Sequence, residues 1–346
     1  MKKQNLSFIV GGLILLFTSS SFACWGARPM GMGGSFVAVA DDCNVAYWNR
    51  AGAAQLDNWK DGEKQIMFTS VIFDQVGFFN RRGRVGNPYY DSFSFAQKLN
   101  RYSGWTLAGT YNGGGGFAIT PGIGFRLPGG GVFDNMSVGI GYYLWNNETY
   151  GTINNQTIRL NMLIHQIHLD YLWKVYPEFN FGVHIERFWQ ISYTLTSPDV
   201  AGSNTVNGNI AESMNFRPSI AWIPQGDLKG LIVNAGFYDL FAQGGGPHVA
   251  FGFEYTPQPG TRKIVSGKGK SKIVKYVKSG DSFLTNSHFR AGLYNMISKT
   301  NDPFLFTLGY GYNISDSIEL NYLGGFWVGS NAGGGHNQSF GASWKW

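Results

Sequence analysis

Beyond its first two dozen residues, this 346-residue chain has no run of 18 or more apolar residues. No transmembrane helix is therefore available to it, and any membrane span must be built from strands. Charge is scarce as well. Asp, Glu, Lys and Arg make up 14% of the chain, against roughly 25% in soluble domains, which would make a poor hydrated surface. The cysteines are few, Cys24 and Cys43, and both fall near the N-terminus, where a disulfide and two small unpaired thiols are both open. What is abundant is glycine, with 49 residues, and aromatic side chains, at 16%.

Lys2 and Lys3, an apolar stretch from Leu6 to Phe17, and small residues through Ser21 and Ala23 have the three-part layout of a secretory signal. Residues 1–23 are therefore expected to be removed, leaving a mature start near Cys24. The adjacent Cys24 keeps a lipid-modified N-terminus open as the alternative, although Ser21 and Phe22 suit ordinary processing better. The net charge of +6 sits largely in one segment and does not argue for a nucleic-acid partner.

From about Glu63 onward, short runs of alternating residues are separated by Gly, Asn, Asp and Pro clusters. In the last run, Phe340, Ala342, Trp344 and Trp346 share one parity and Ser339, Gly341, Ser343 and Lys345 the other. Phe181 to Leu195 and Met214 to Trp222 repeat the pattern. A wall between lipid and a polar lumen requires this two-residue period. Strand starts are expected near residues 63, 89, 102, 116, 134, 158, 179, 209, 229, 246, 286, 304, 316 and 337. The fold class is thus all-β, a closed antiparallel transmembrane barrel of about 14 strands. Turns at Leu99, Lys174, Pro224 and Asn313 fall on one side, and the longer stretches from Gln75 and Ser197 on the other.

Three places break the regularity. Arg187 falls on the apolar parity. The run Ile158 to Trp173 changes parity, so a bulge is expected near His165 and Gln166. Residues 257–285 are an insertion on the periplasmic side carrying Arg262, Lys263, Lys268, Lys270, Lys272, Lys275 and Lys278, with no acid before Asp281. KIV and KIVKYV around SGKGKS read as a solvent-exposed basic hairpin.

His165, His168 and Asp170 suggest a metal or hydrolytic site, but strand geometry without a bulge points the two histidines to opposite faces. No serine elbow, zinc helix or phosphate loop accompanies them, and the glycine clusters at Gly113 and Gly333 lack a following helix. Enzymatic activity and cofactors are not expected. His184, Glu186, Arg217, Glu254 and Glu319 fall on the lumen parity, where they either tune a pathway or hydrogen-bond one another.

The stretch GARPMGMGGSFVAVADDCNVAYWNRAGAAQL, Gly26 to Leu56, resembles the start of the FadL-like outer-membrane barrels. These include fatty-acid and toluene transporters and the PorV-type barrels of the type IX secretion system. The family's Met-Gly-Gly-Ala, Ala-Asp-Asp and Asn-Pro-Ala-Gly segments match Met32 to Ser35, Ala40 to Asp42, and Asn49, Arg50, Ala51 and Gly52, with Arg50 in place of proline. HFRAGLYN at His288, FTLGYGY at Phe306 and the aromatic C-terminus look like the family's closing strands.

The resemblance implies 14 strands and an N-terminal hatch inside the lumen, here residues 24–60, with the barrel at 61–346. It implies gating by the hatch residues Asp41, Asp42, Asn49, Arg50, Ala51 and Gly52. It also implies a place in the bacterial outer membrane, with its lipids as partners, and passage of a small hydrophobic molecule of fatty-acid or aromatic type. The alternative is a PorV-like scaffold or shuttle that binds secreted or periplasmic proteins. A general diffusion porin fits poorly, because the plug would obstruct its pore.

Overall fold

The computed structural model describes residues 26–73, 89–112, 116–153, 156–196, 206–207, 214–238, 240, 247–266, 273–279, 282–294, 304–328 and 336–346. Residues 1–25, and with them the expected signal segment and Cys24, lie outside this set, as do the glycine clusters at 113–115 and 333–335.

Alternation of apolar and small or polar residues builds 14 antiparallel strands into one closed ring. They are β1 Lys64–Phe73, β2 Tyr89–Asn100, β3 Ser103–Asn112, β4 Gly116–Arg126, β5 Met136–Ile153, β6 Gln156–Tyr176 and β7 Phe179–Thr196. A two-residue strand, β8 Val206–Asn207, pairs on β7. The ring continues with β9 Asn215–Trp222, β10 Leu231–Tyr238 and β11 His248–Tyr255. Two strands, β12 Gly260–Ser266 and β13 Ile273–Ser279, form a separate hairpin. The ring then resumes with β14 Ser287–Tyr294, β15 Phe304–Ser315, β16 Ile318–Val328 and β17 His336–Lys345. Pairing of Gln65 through Phe73 with Lys345 through Asn337 closes it and leaves no free edge.

Burial follows the two-residue period. Phe117, Ile140, Ile220, Phe237, Leu308, Phe340 and Trp344 point outward and are exposed. Thr106, Ala108, Thr120, Asn234, Ala250, Thr307 and Ser343 point inward and are buried. The outward band is what a hydrocarbon surround would cover. Asp91 departs from this rule. It shares the outward parity of Tyr111, its register partner, and accepts a hydrogen bond from the Ser70 hydroxyl at 3.2 Å, beside an outward groove of about 300 Å³ lined by Phe93, Gly109, Tyr111, Phe117 and Ile119.

Strand lengths are uneven. β5, β6 and β7 have 18, 21 and 18 residues, whereas β9, β10, β11 and β14 have eight each. A membrane-spanning strand needs about 9–11 residues, so β5 to β7 carry an extension beyond it. It lies at the end opposite the chain's C-terminus, where Ile153 pairs with Gln156. Length on that side is therefore held in paired strands. The basic hairpin β12–β13 stands at the other end, with the tight turns at Asn100–Ser103, Tyr176–Phe179 and Ser315–Ile318.

The expected bulge exists, but in β7 and not in β6. β6 pairs with β5 without interruption from Gln156 to Trp173. Against β7 its register slips three times, between His165 and Gln166, between Ile167 and Leu169 and between Lys174 and Tyr176, and at the first two the extra residues lie on β7 around Ile191 and between Ile185 and Trp189. Arg187 falls in the second irregularity with φ +58°. A left-handed conformation there costs roughly 1–2 kcal/mol for a residue with a Cβ, and it takes Arg187 out of the alternation. The parity change in β6 has a different cause. Ile164 and Leu172 are simply apolar residues facing inward, 2% and 0% exposed.

Two substitutions test the facing. In a lipid bilayer, Leu308→Arg should destabilise the barrel by about 2–4 kcal/mol. Thr307→Ser, on the inner face, should shift stability by far less. Denaturant unfolding of the refolded protein in vesicles measures both, and equal effects would contradict the assignment.

Candidate functional site

Residues 26–62 contain no strand. Helices α1 Ala27–Gly31 and α2 Val45–Trp48 are followed by a 3-10 turn, Arg50–Gln55, and nearly every residue from Gly26 to Leu56 is buried. The partners of this segment are inward-facing residues of strands spread round the ring.

Glycines in those strands make the contact close. A Cβ at Gly252 would lie 2.1 Å from the Met32 carbonyl oxygen, at Gly292 2.0 Å from the Gly33 nitrogen, and at Gly182 2.6 Å from the Val37 carbonyl oxygen. Across the ring from Gly252 and Gly292, a Cβ at Gly104, Gly124 or Gly139 would meet the backbone of Ala53, Arg50 or Ala51 at 2.3–2.5 Å. Glycine inside a strand often marks such an approach of another backbone.

Polar contacts then fix the segment. The Asn49 amide donates to the carbonyls of Val37 (2.8 Å) and Tyr171 (3.0 Å), while its oxygen accepts from the Ala51 N–H. Ser137 donates to the Ala51 carbonyl at 2.9 Å. Gly52 packs on Ala40 and Val45 with no room for a side chain. Gln55 donates to Ser137 at 2.8 Å, and Lys98 to the Leu56 and Trp59 carbonyls.

Two ionic chains cross from the segment to the wall. In the first, Arg28 grips both oxygens of Glu254 at 2.8 and 2.9 Å and also reaches Asp41 and Asp42 at 2.6 and 2.7 Å. Glu254 is shared with Arg290, which also binds Asn321 and donates to Glu319 at 2.9 Å. In the second, Arg50 donates to Thr120 at 2.5 Å and pairs with Asp170 at 3.2 Å. Asp170 lies 2.6 Å from His184 Nδ1, His184 Nε2 lies 3.6 Å from Glu186, and Glu186 pairs with Arg217 at 2.7 Å. Buried charges of this kind persist only when paired.

The five wall residues singled out from sequence, His184, Glu186, Arg217, Glu254 and Glu319, are thus all members of these two chains. Asp41, Asp42, Asn49, Arg50, Ala51 and Gly52 are buried in the segment apart from Asp41, whose side chain is 43% exposed. Arg50 fits where the motif has proline because Gly122 and Gly141 leave its side chain a slot. A Cβ at either would fall within 2.4 Å of it. Sequence reasoning missed Arg28, Asp170, Arg290 and Asn321 as partners. Arg28 and Arg290 were visible in the family-like segments, but pairing across 226 residues leaves no local signal.

His165 and His168 do face opposite ways. His165 bonds Tyr142 on the outer side, whereas His168 stacks on Tyr143 at 5.1 Å with both ring nitrogens lacking a hydrogen-bond partner among the described residues. No group of three or more metal-ligating side chains occurs among the described residues. Cys43 is buried and unbridged there, with Cys24 outside the described set. An aromatic group from both components, Trp48, Tyr238 and Tyr294, has centroids 6.4 and 5.3 Å apart, and the Arg217 guanidinium lies 4.9 Å over Tyr238.

At the rim, Asp57 accepts from Lys174 at 2.5 Å and from Arg126. Burial pushes its carboxyl up, but Lys174 and Arg126 outweigh this and hold it below the ordinary value of 3.8. A depressed carboxyl stabilises above its unfolded value and loses that contribution as pH falls through the folded value. Hydrogen exchange of Gln55–Trp59 should therefore stay protected down to about pH 4 and accelerate below it. Asp57→Asn should flatten this dependence, and an unchanged profile would remove Asp57 as the tether.

The wall glycines are testable in the same way. Gly141→Val should displace Arg50 at a cost of about 1–3 kcal/mol and expose Val45–Leu56 to proteolysis. Gly324→Ala, whose Cβ would have no neighbour nearer than 3.6 Å, should leave the segment protected.

No protein-family model and no curated relative matches the sequence. Solved structures do. The toluene transporter TbuX of Ralstonia pickettii superposes with a TM-score of 0.53 at 11% identity, covering 92% of this chain and 97% of that one. The monoaromatic hydrocarbon channel CymD gives 0.57 at 11% identity, covering 94% and 98%. The toluene transporter TodX of Pseudomonas putida gives 0.52 at 12% identity, covering 94% and 98%.

Proposed function

We propose that this chain, which has the fold of the FadL-like barrels, is an outer-membrane channel for small hydrophobic molecules of fatty-acid or aromatic type. Residues 1–23 act as the export signal and residues 24–60 as a hatch inside the barrel. The observation that carries this reading is the fit of the N-terminal segment against glycines on opposite walls. A segment held that closely obstructs a water-filled pore, which disfavours free diffusion of hydrophilic solutes. The likeness in fold to transporters named for toluene and monoaromatic hydrocarbons supports the choice of cargo.

In this mechanism an apolar molecule binds above the hatch. The hatch then rearranges around Asp41, Asp42, Asn49, Arg50, Ala51 and Gly52, and cargo leaves down the lumen or sideways where β7 is irregular. The ionic chains through His184, Glu186, Arg217, Glu254 and Glu319 set how firmly the hatch is held. Removing one partner of a buried pair costs about 3–5 kcal/mol. Arg28→Ala, which takes the cation from Asp41 and Asp42 and leaves Glu254 to Arg290 alone, should accordingly raise ion leakage through the protein in planar bilayers. Vesicles containing the native protein should take up a labelled monoaromatic or fatty acid faster than empty vesicles, and no difference for either cargo would sink the channel.

A second reading, a PorV-like scaffold for secreted or periplasmic proteins, is favoured by the β12–β13 hairpin standing apart from the ring. Purification from native outer membranes separates the two. A stoichiometric protein partner without a small ligand would replace the channel by the scaffold.

A further inference from the structure

Buried polar atoms without partners are costly unless something arrives to meet them. Two stand side by side on neighbouring strands. The Tyr238 hydroxyl and Arg217 Nε are buried and lack a hydrogen-bond partner among the described residues. They belong to one group, because the Arg217 guanidinium lies over the Tyr238 ring. The surroundings are aromatic, with Trp48 and Tyr294 edge-on to Tyr238 and Tyr47 edge-on to Trp48 at 5.8 Å. Gly34, at φ +73°, adds no bulk where a Cβ would lie 3.3 to 3.5 Å from Tyr294, the Tyr238 hydroxyl and Trp48.

The charge balance narrows the ligand further. Arg217 is already paired with Glu186, and Arg50 with Asp170. His184 lies between the two carboxylates. Among the described residues of this ionic cluster, each cation already has a carboxylate partner, and a ligand carboxylate would face that of Glu186. A neutral oxygen, by contrast, can accept from the Tyr238 O–H and the Arg217 Nε–H at no such penalty.

We propose that the Trp48, Tyr238 and Tyr294 group beside Arg217 is a binding site for a neutral aromatic molecule carrying an oxygen acceptor, in preference to a plain hydrocarbon or an acid. This rests on the channel reading and narrows its cargo. Both donors are covered in this arrangement, so the ligand enters as the segment bearing Gly34 and Trp48 moves off Tyr238. Its ring then packs edge-to-face against Tyr238 and Tyr294, an arrangement worth about 0.5–1.5 kcal/mol beyond its area per pair. The oxygen satisfies the two waiting donors.

Three probes of similar size test it by equilibrium dialysis against the full-length protein refolded in detergent: ethylbenzene, acetophenone and benzoate. Acetophenone should bind about three- to tenfold more tightly than ethylbenzene, the worth of one net hydrogen bond, and benzoate most weakly. Tyr238→Phe keeps the ring and removes the hydroxyl. It should leave ethylbenzene within twofold and reduce the acetophenone preference to about twofold or less. Equal binding of ethylbenzene and acetophenone by the native protein would overturn the proposal while leaving the channel intact, as would a preference that survives Tyr238→Phe or a preference for benzoate. Failure of all three probes to bind would count against the channel reading itself and take this site with it.

Discussion

The architecture depends on one steric constraint: a segment of chain about 30 residues long must fit against the inner faces of a closed ring. A ring of this strand number can be bridged only where main chain approaches main chain, because side chains on both partners would hold them apart. Glycine is the residue that permits this. The inward positions 104, 124, 139 and 182 on β3, β4, β5 and β7, and 252 and 292 on β11 and β14 across the ring, are glycine where the segment runs. Hydrogen bonds from Asn49, Ser137 and Gln55 then fix its register. The ionic chains are secondary to this fit, since a guanidinium such as Arg28 can hold three carboxylates only after the backbone has brought them within reach.

The polar interior has its own logic. Arg28, Arg50, Arg217 and Arg290 each meet at least one carboxylate on another element, so the charge is placed to tie separate pieces of chain together. Such pairs add little to net stability, because desolvation offsets much of the attraction. Their effect is on specificity of position. Breaking one leaves an unpaired charge in a poorly solvated interior, and that makes the segment's place in the ring sharply defined.

Much of the ring was legible beforehand. A two-residue period is a local property, so Phe340 to Trp346 announces its facing without reference to any other strand. The observed strand starts at Lys64, Tyr89, Ser103 and Gly116 fall within a residue of expectation. Positions that depend on a neighbour were harder. The bulge near His165 was assigned to β6 because parity changes there, whereas the extra residues belong to β7. Parity along one strand cannot distinguish a bulge from an apolar residue such as Ile164 turned inward. The same limit hid the ionic partners of Glu254 and Asp170, and it made the inward glycines look like mere members of the polar parity when they are contact surfaces.

The seam between β1 and β17 carries a temporal consequence. Its partners, Gln65 and Lys345, stand at the two ends of the barrel sequence, so the ring cannot shut until the last strand has been synthesised and delivered. Folding of this topology is dominated by the most distant contacts and is correspondingly slow. Until then, both edges are open templates for pairing with other chains. A segment destined for the inside has that same interval in which to take its place. The final zipping of the C-terminal strand against the first is therefore the event after which interior and exterior become separate compartments of one molecule.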